Sequence, residues 1–436
     1  MKQLAALNGK TCSCGKVHSF TGKILCGSGV LRQLPDCVAE FDAKRVFLLS
    51  DKNTYACAGK EVCKLLRKAG FQVVDFCLDA DAPEPDEYSS GAALMHYDSA
   101  CDLVVAVGSG VINDIGKLIS ATAKAPYIIV ATAPSMDGYA SATSSMTRSG
   151  LKISLNTKSA DVIIGDTDIL KDAPLHMLKS GLGDMLAKYV SICEWRIAHL
   201  ITGEYYCEEI AGLIRGAVKQ CVDNATALLK REPGAVQAVF EGLIIGGVAM
   251  HYAGLSRPAS GVEHYISHIL DMRSVAFSTP VDLHGIQCAV GTLESVRLYE
   301  KLIKLTPNRE KATAYAAAFD YTAWAKQLEA FLGKGAKAMI ALEEKEKKYD
   351  ITAHGKRLNT ITENWQKILE IIKEELPTAA TLEQLLRQMD MPCALEDLGV
   401  SSEHRPTIFK ATKDIRDKYV LSRLAWDLGV LKELLT

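Results

Sequence analysis

Four polar residues between positions 184 and 284 have types and spacings that suit metal-assisted chemistry. Asp184 lies among apolar residues in SGLGDMLAK. His264 and His268 are four residues apart in SGVEHYISH, and His284 follows in VDLHGIQCAVGT. Residues four apart share one helix face, so the first two imidazoles point the same way. Two imidazoles and one carboxylate leave coordination positions open, which is typical of a catalytic metal site.

A divalent ion held by Asp184, His264 and His284 would polarise an alcohol or carbonyl oxygen while a cofactor carries the hydride. His268 would then bind substrate or relay a proton. The residues alone leave plainer interpretations open. A buried histidine is often a satisfied core residue, and Asp184 is one helical turn from Lys188, with which it could pair.

A glycine-rich turn in VVAVGSGVINDIGK lies between a predicted strand and a predicted helix. Gly108 and Gly110 would let backbone N–H groups approach a pyrophosphate at the helix N-terminus. Asn113 stands where the third glycine of a dinucleotide motif would be, so a simple tight turn stays open. Asp51 ends an earlier strand and suits ribose hydroxyls, or it caps a helix. Asp137, in the loop after a later strand, faces the expected substrate position.

The elements that must position these residues change character along the chain. Short apolar runs predict strands, and intervening segments have helical periodicity, which predicts parallel βαβ units; strands are expected at 45–51, 71–79, 101–107 and 126–132, and helices at 53–70 and 111–124. Residues 138–170 look like loops and strands, in which ASATSSMTRSG is polar and expected to be flexible and LKISLN and ADVIIGD are expected to be extended. From Pro174 onward nearly everything is predicted to be helical. We therefore predict a Rossmann-like α/β dinucleotide-binding domain over 1–172 and an all-α metal- and substrate-binding domain over 173–436.

The composition excludes several classes of protein. The chain has 436 residues, 48% of them hydrophobic, and 50 basic against 52 acidic side chains give a formal charge of −2. No net field draws it to nucleic acid or to an anionic membrane. The first twenty residues lack the apolar core of a secretory signal, and no uncharged apolar run reaches the length of a membrane span, so we expect a cytoplasmic protein.

The cysteine pattern points to a reducing compartment. Thirteen cysteines without regular spacing do not resemble a disulfide framework. Cys12, Cys14 and His18 have the residue types of a zinc site, but Cys-x-Cys is tighter than the usual spacing and no second pair lies nearby. Because Gly15 and Gly22 flank alternating residues, we interpret this segment as a hairpin tip.

Five segments together resemble a known superfamily. VGSGVINDIGK, PYIIVATAPSMDGYAS, GLGDMLAK, RPASGVEHYISH and LHGIQCAVGT occur here in the order and spacing of the iron-containing alcohol dehydrogenase, glycerol dehydrogenase and dehydroquinate synthase superfamily. Within it, TAPSMDGYAS, GVEHYISH and IRDKYVLSRLAWDLGVL look most like bacterial glycerol-1-phosphate dehydrogenases. The similarity runs over nearly the whole chain, and the combination is far more specific than any one motif.

The resemblance implies a dehydroquinate synthase-like fold with the active site in a cleft between two domains. It implies that Asp137, Asp184 and His268 contact substrate and act in catalysis, and that the metal ligands are Asp184, His264 and His284. Together with Asp51, proposed above, the expected cofactor-binding residues are Gly108, Ser109, Gly110, Val111, Ile112, Thr132, Ala133, Pro134, Ser135 and Ser141.

The activity that the resemblance implies is reduction of dihydroxyacetone phosphate with NADH or NADPH. Zinc or nickel is the usual ion in this family, and the ligand set also accepts iron. The expected partner is a small phosphorylated triose, with no nucleic acid and no membrane, and the expected assembly is a homodimer, the commonest oligomer. The substrate phosphate lacks an obvious partner in the sequence, with Arg257 and Lys188 as candidates.

Two departures from the family pattern stand out. Ser109 replaces the middle glycine of a Gly-Gly-Gly turn, and Val262 stands where a serine is expected. Three other activities remain open: a glycerol or small-polyol dehydrogenase, a cyclase like dehydroquinate synthase, and a binding protein that lost catalysis. The intact set of Asp184, His264 and His284 argues against the last of these.

Overall fold

A computed structural model of the chain describes residues 1–80, 82–149 and 151–436. These residues form two compact units. The first comprises residues 1–185 and 212–254, and the second comprises residues 186–211 and 255–436. The first unit is built on a parallel β-sheet, and the described residues of the second are helical or loop. The predicted fold class, an α/β amino-terminal part followed by an all-α carboxyl-terminal part, is confirmed.

The strands of the first unit form one large sheet and one small ribbon. Their bounds are β1 Lys23–Gly27, β2 Arg45–Asp51, β3 Gln72–Leu78, β4 Leu103–Gly108, β5 Tyr127–Ala131, β6 Thr143–Arg148, β7 Leu151–Asn156 and β8 Val162–Asp166. The large sheet is parallel with the order β1-β8-β5-β4-β2-β3, and β6 pairs antiparallel with β7. Every residue of β4, β5 and β8 is buried, as expected for parallel strands covered on both faces.

The strand order defines where a ligand should bind. From β2 the chain moves outward to β3, then returns to place β4 on the other side of β2. The chain leaves β2 toward β3 and leaves β4 toward β5, so the connections run to opposite sides of the β2–β4 boundary. In open α/β sheets ligands bind beyond the carboxyl ends of the strands at such a point. Asp51 ends β2 and Gly108 ends β4.

Helices cover the sheet of the first unit. Those in or at the edges of this unit are α1 Lys2–Leu7, α2 Leu34–Ala39, α3 Lys52–Thr54, α4 Lys60–Lys68, α5 Glu87–His96, α6 Gly110–Ala123, α7 Thr167–Leu170, α8 Leu175–Leu186, α10 Glu208–Asp223, α11 Ala225–Leu229 and α12 Pro233–Ala253. A single π-helical turn, Tyr55–Gly59, joins α3 to α4. Helix α12 packs closely on the sheet. A Cβ added to Gly165 would lie only 2.0 Å from the Phe240 ring, so this approach depends on glycine.

Helix α12 is long and apolar enough to cross a membrane by composition, although it contains Glu241. In the most apolar window, 67% of its residues are buried inside the protein. That burial is typical of a core helix, since a lipid-facing helix would leave its apolar side chains uncovered.

The second unit consists of helices that carry the three histidines of the sequence motifs. Their bounds are α9 Lys188–Thr202, α13 Val262–Phe277, α14 His284–Leu302, α15 Arg309–Ala317, α16 Tyr321–Leu332, α17 Ala336–Glu346, α18 Ile351–Glu363, α19 Trp365–Glu375, α20 Ala379–Gln388, α21 Arg405–Thr412, α22 Leu421–Asp427 and α23 Leu431–Leu435. Helices α13 and α14 pack together along much of their length.

Most predicted elements lie where the sequence places them. The strand predicted at 45–51 is β2, and that at 126–132 contains β5. One segment differs: residues 143–148 belong to a polar stretch expected to be flexible, but they form β6, whose pairing with β7 satisfies the backbone. The domain boundary at 172 remains a prediction; compactness groups α8, α11 and α12 with the sheet.

Candidate active site

The glycine-rich turn connects β4 to α6 at the point where the sheet order favours a ligand. Helix α6 begins at Gly110 and has 14 residues, so its first N–H groups and its dipole face the turn. Gly110 and Val111 are partly exposed, whereas Ile112 is buried behind Gly108. The turn therefore combines a packed side and an accessible side.

Packing explains one of the two glycines of this turn but not the other. A Cβ on Gly108 would lie 2.4 Å from Cβ of Ile112, closer than real Cβ contacts, so packing requires glycine there. A Cβ on Gly110 would meet only Met136 Cγ at 3.6 Å, an ordinary contact. Packing therefore does not explain Gly110, whereas the close approach of a pyrophosphate, as expected from the sequence, would explain it.

Alanine substitutions should separate these two roles. Gly108→Ala should destabilise the fold by about 1–3 kcal/mol through overpacking, measured by thermal or denaturant unfolding. Gly110→Ala should leave unfolding within about 0.5 kcal/mol of the parent, yet raise the cofactor Kd roughly tenfold, equivalent to about 1.4 kcal/mol, in a fluorescence titration. Unchanged cofactor affinity in Gly110→Ala would contradict the assignment of the turn.

Ser109, which departs from the family's glycine pattern, is held in a network of buried hydroxyls. Its Oγ lies 2.6 Å from Ser135 Oγ, and the Tyr139 hydroxyl donates to it at 3.1 Å. The same Tyr139 hydroxyl also reaches the carbonyl of Ala133 at 2.6 Å. The serine thus ties the β4–α6 turn to the loop after β5, because each buried hydroxyl finds a partner there.

The loop after β5 carries five of the predicted cofactor residues. Thr132, Ala133, Pro134 and Ser135 are buried, and the Thr132 amide donates to the Gly108 carbonyl at 3.1 Å. Ser141 lies further along, partly buried, with Oγ 2.9 Å from Thr143 Oγ1.

Polar side chains of α6 hold the second part of this loop. Asn113 Nδ2 and Lys117 Nζ each donate to the Gly138 carbonyl at 3.2 Å. Lys117 also forms an ion pair with Asp114 at 2.9 Å. Asn113, in place of a third motif glycine, is therefore a loop-positioning residue next to Asp137.

Asp51 adopts the plainer of its two predicted roles. Its side chain accepts from the Thr54 amide at 2.9 Å and the Thr54 hydroxyl accepts from the Asp51 amide, which makes a capping box at α3. The cap uses one of about four acceptor positions of the carboxylate. The other positions remain for a ligand at the carboxyl end of β2. Its contact with ribose remains a prediction.

Asp184 is fixed within the first unit by close packing of α8 on the loop after β5. A Cβ on Gly181 would lie 1.8 Å from the Pro134 carbonyl oxygen, so only glycine permits this approach. Ser180 Oγ donates to the Ser135 carbonyl at 2.9 Å. One turn later, Asp184 is fully buried, and its Oδ2 accepts from the Asp137 amide at 2.9 Å. Two of the predicted catalytic residues are therefore in direct contact.

In the second unit, His264 is held by its neighbour Glu263. Glu263 Oε1 lies 2.8 Å from His264 Nδ1 and accepts from the Gly261 amide at 2.7 Å. A carboxylate accepts at Nδ1, so the proton sits there and Nε2 keeps its lone pair, which is how metal-binding histidines are commonly oriented. Both side chains are buried.

Glu194 on α9 fixes the start of α13, which carries His264 and His268. Its Oε2 accepts from the Val262 amide at 2.9 Å, and its Oε1 accepts from the Leu421 amide at 2.7 Å. Burial, with the nearby charge of Glu263, raises the pKa of Glu194 to about 8. Val262, the second departure from the family pattern, is fully buried and serves the helix start through its backbone.

His284 lies at the first position of α14, close to His264. Their ring centroids are 5.0 Å apart, and His284 Nδ1 is 3.1 Å from Ser267 Oγ. Donor atoms of His264, His284 and Cys288 all lie within 4.8 Å of one another. Cys288 was not predicted from the sequence, although it is four residues after His284 on the same helix face.

The neighbouring imidazoles lower the pKa of the Cys288 thiol. Burial acts to raise its pKa, but the neighbouring imidazoles of His264 and His284 outweigh burial and leave the pKa below the ordinary value. A thiol that is stabilised as thiolate beside two imidazoles is a soft donor for zinc or nickel. The donor set of the second unit therefore suits a divalent transition metal.

His268 is kept neutral by its surroundings. Burial, and after it the positive charge of Arg416, lowers its pKa well below the usual value for histidine. Its ring stacks at 6.1 Å from that of His284. A neutral imidazole offers one N–H donor and one acceptor to a substrate hydroxyl.

Two cations near His268 were not recognised from the sequence. Arg416 and Lys418 lie in the loop after α21, exposed and partly exposed, and Lys418 Nζ is 5.7 Å from the Tyr265 ring centroid and donates to the Ser260 carbonyl at 2.8 Å. Burial and the charge of Arg257 lower the pKa of Lys418 to about 7. These cations add positive charge next to a proposed substrate contact.

The two residues suggested for the substrate phosphate have structural partners. Arg257 is 1% exposed, forms a bidentate pair with Glu204 at 2.7 and 2.6 Å, and donates to the Tyr419 carbonyl. Lys188 is fully buried and donates to the Ala259 carbonyl at 3.1 Å. Both cations therefore already have structural partners, and their contact with the substrate phosphate stays a prediction.

Comparisons with known proteins show which family the chain resembles. Residues 25–174 match the family model described as iron-containing alcohol dehydrogenase. The chain is 34% identical over 274 residues to the glycerol-1-phosphate dehydrogenase (NAD(P)+) of Bacillus velezensis, covering 61% of this chain and 70% of that protein. It is 26% identical over 415 residues to the protein of that name from Halalkalibacterium halodurans, covering 94% of each.

Solved structures share the fold. The glycerol dehydrogenase of Schizosaccharomyces pombe superposes with a TM-score of 0.62 at 17% identity, covering 96% of this chain and 91% of that one. A 1,3-propanediol oxidoreductase gives 0.62 at 16% identity, covering 94% and 97%. The chain belongs to the iron-containing alcohol dehydrogenase family, among its glycerol-1-phosphate dehydrogenases.

Proposed function

We propose that this protein is an NAD(P)H- and metal-dependent oxidoreductase that interconverts dihydroxyacetone phosphate and sn-glycerol 1-phosphate by hydride transfer. The observation that carries this function is the similarity to proteins named glycerol-1-phosphate dehydrogenase, at 32% identity over 298 residues for the Bacillus licheniformis protein. The residues of each unit supply what such a reaction needs: a place for the cofactor, metal ligands and cations for a phosphate.

The metal ligands in this proposal are Asp184, His264 and His284. The donor chemistry supports the assignment: Glu263 fixes the tautomer of His264, and His264 and His284 donor atoms lie within 4.8 Å of each other. Asp184 is a fully buried carboxylate oriented by the Asp137 amide. Zinc, nickel and iron all accept such N/O ligands. Cys288 adds a soft donor, which favours zinc or nickel over iron.

The cofactor site in this proposal is the β4–α6 turn, Gly108 to Ile112, with the loop 132–135 and Ser141 on the nicotinamide side. The strand order supports it, because the turn lies where neighbouring strands run to opposite sides. Asp51 is placed at the adenosine ribose. Its negative charge would oppose a 2′-phosphate, so we expect NADH to bind more tightly than NADPH.

The substrate contacts in this proposal are Asp137 and His268, with Arg416 and Lys418 at the phosphate. A neutral His268 donates or accepts one hydrogen bond from the substrate without adding a charge. Arg416 and Lys418 bring two cations within electrostatic reach of His268, and a monophosphate carries up to two negative charges. Such cations distinguish a phosphorylated ketone from glycerol or another polyol.

A divalent ion held by Asp184, His264 and His284 would supply Lewis acidity at the reacting oxygen of the substrate. The chain's own residues orient the reactants for this step. Asn113 and Lys117 fix the loop that carries Asp137, and Glu194 and Glu263 fix the helix start that carries His264. Positioned groups of this kind lower the entropic cost of bringing reacting atoms together.

The deciding experiment is an assay of the metal-loaded enzyme with dihydroxyacetone phosphate and with dihydroxyacetone, each with NADH and NADPH. We expect kcat/KM to favour the phosphorylated ketone by about a hundredfold or more, since charge-assisted contacts to a phosphate contribute about 1.5–3 kcal/mol each. A marked preference for dihydroxyacetone would indicate a polyol dehydrogenase. Conversion of substrate with no net change in cofactor would indicate a cyclase.

We propose a cytoplasmic homodimer that binds neither nucleic acid nor membrane. The balanced charge of 50 basic and 52 acidic residues supports the absence of both partners. Sedimentation of the purified protein tests the dimer.

A further inference from the structure

A second cluster of metal-donor side chains lies in the amino-terminal hairpin, outside the residues assigned to the dehydrogenase reaction. Thr11 and Val17 form an antiparallel bridge, and the Cys12 amide donates to the Lys16 carbonyl at 2.8 Å. Gly15 turns the chain with φ +82°. The hairpin expected from the sequence is confirmed, and it brings Cys12, Cys14 and His18 close together.

The donor atoms of these three residues have the separations that a bound ion requires. Cys14 Sγ lies 3.3 Å from His18 Nε2, and the donor atoms of Cys12, Cys14 and His18 all lie within 4.8 Å of one another. Tetrahedral zinc, with Zn–S of about 2.3 Å and Zn–N of about 2.0 Å, separates sulfur from nitrogen by about 3.5 Å. The tight Cys-x-Cys spacing is therefore compatible with one shared ion.

The ring of His18 is oriented as a metal ligand usually is. Its Nδ1 is 3.1 Å from the Tyr252 carbonyl oxygen, and the ring stacks on that of Tyr252 at 5.4 Å. A carbonyl only accepts, so Nδ1 carries the proton and Nε2 presents its lone pair toward Cys14. His18 is 1% exposed and Cys12 is 6% exposed. A built environment thus surrounds the donors.

We propose that Cys12, Cys14 and His18 bind a structural zinc ion that fastens the amino-terminal hairpin to α12. Two sulfur donors and one imidazole select zinc over harder ions such as magnesium or calcium. The Tyr252 contact links the hairpin to a helix more than 230 residues away in sequence. Structural zinc usually takes four protein ligands, so we expect a further thiolate of the chain to complete the set.

The test counts zinc per chain by mass spectrometry in proteins that differ at each site. His264→Ala, which removes the proposed active-site ion, should retain one zinc. His264→Ala combined with Cys12→Ser and Cys14→Ser should retain none and melt at a lower temperature. Cys57→Ser, at an exposed cysteine, is the matched control. Single serine replacements at the other buried cysteines, Cys37, Cys63, Cys101, Cys193, Cys207, Cys221, Cys288 and Cys393, then identify the fourth ligand.

A cobalt experiment needs no change in the hairpin, so it applies even if the cysteine variants fail to fold. Cobalt-loaded His264→Ala should show thiolate-to-cobalt charge-transfer absorption, and adding Cys288→Ser should leave that absorption unchanged. Equal zinc contents in the hairpin variant and in Cys57→Ser, or absence of the cobalt band, would overturn the proposal and leave a thiol–imidazole hydrogen bond. Neither result depends on dehydrogenase turnover.

Discussion

Replacing His264 with alanine is expected to lower kcat about a thousandfold or more, which corresponds to about 4 kcal/mol of lost transition-state stabilisation. The reason is that the substitution removes a proposed metal ligand, whose Nε2 is left available by the contact of Nδ1 with Glu263. Cofactor binding should persist, because the glycine-rich turn belongs to the other unit. Turnover, metal content and a cofactor fluorescence titration together measure this.

A graded variant and a matched control sharpen the result. Glu263→Gln keeps the size of the side chain but weakens the orientation of His264, so metal affinity should fall by about 10- to 100-fold. His96→Ala removes an exposed histidine at the end of α5 and should behave like the parent. If His264→Ala bound as much metal per chain as the parent and kept its turnover, the metal assignment would be wrong.

Removing the positive charge of Arg416 or Lys418 is expected to raise the KM for dihydroxyacetone phosphate by about 10- to 100-fold, since a charge-assisted hydrogen bond contributes about 1.5–3 kcal/mol. Arg416→Ala and Lys418→Met each remove one cation from the surroundings of His268. Turnover of unphosphorylated dihydroxyacetone should stay within about twofold, because it has no group for these cations to bind. Lys410→Met, at an exposed lysine of α21, is the control.

The lowered pKa of Lys418 predicts that activity on the phosphorylated ketone depends on pH. Its pKa is lowered to about 7, first by burial and then by Arg257, so it is charged below that pH and loses its charge above it. Therefore kcat/KM for the phosphorylated ketone should fall as pH rises through about 7, and this decrease should be absent in Lys418→Met. An equal loss of activity on both ketones would show that these residues support the fold instead of the phosphate.

The sequence predicted what depends on local pattern. Buried strands such as β2 and β4 are continuous apolar runs, and the turn between β4 and α6 is marked by its glycines. His264 and His284 were found because uncommon residue types stand in helical segments, and the latter opens α14 as expected. The Asp51 cap was one of two roles considered, because an acidic residue at a strand end favours both.

What the sequence did not predict depends on contacts between distant segments. Glu194 reaches the amides of Val262 and Leu421, which are 68 and 227 residues away, and no local pattern marks it. Arg257 looked like a phosphate ligand because arginine suits phosphate, but its pairing with Glu204 depends on how α9 and the loop before α13 pack. Lys418 resembles any surface lysine until its burial is known.

The most direct measurement is oxidation of the two enantiomers of glycerol phosphate by the metal-loaded enzyme with NAD+ and NADP+. The proposed function predicts rapid reduction of the nicotinamide with sn-glycerol 1-phosphate and negligible reaction with sn-glycerol 3-phosphate or glycerol. Comparable rates with glycerol, or a preference for sn-glycerol 3-phosphate, would contradict it.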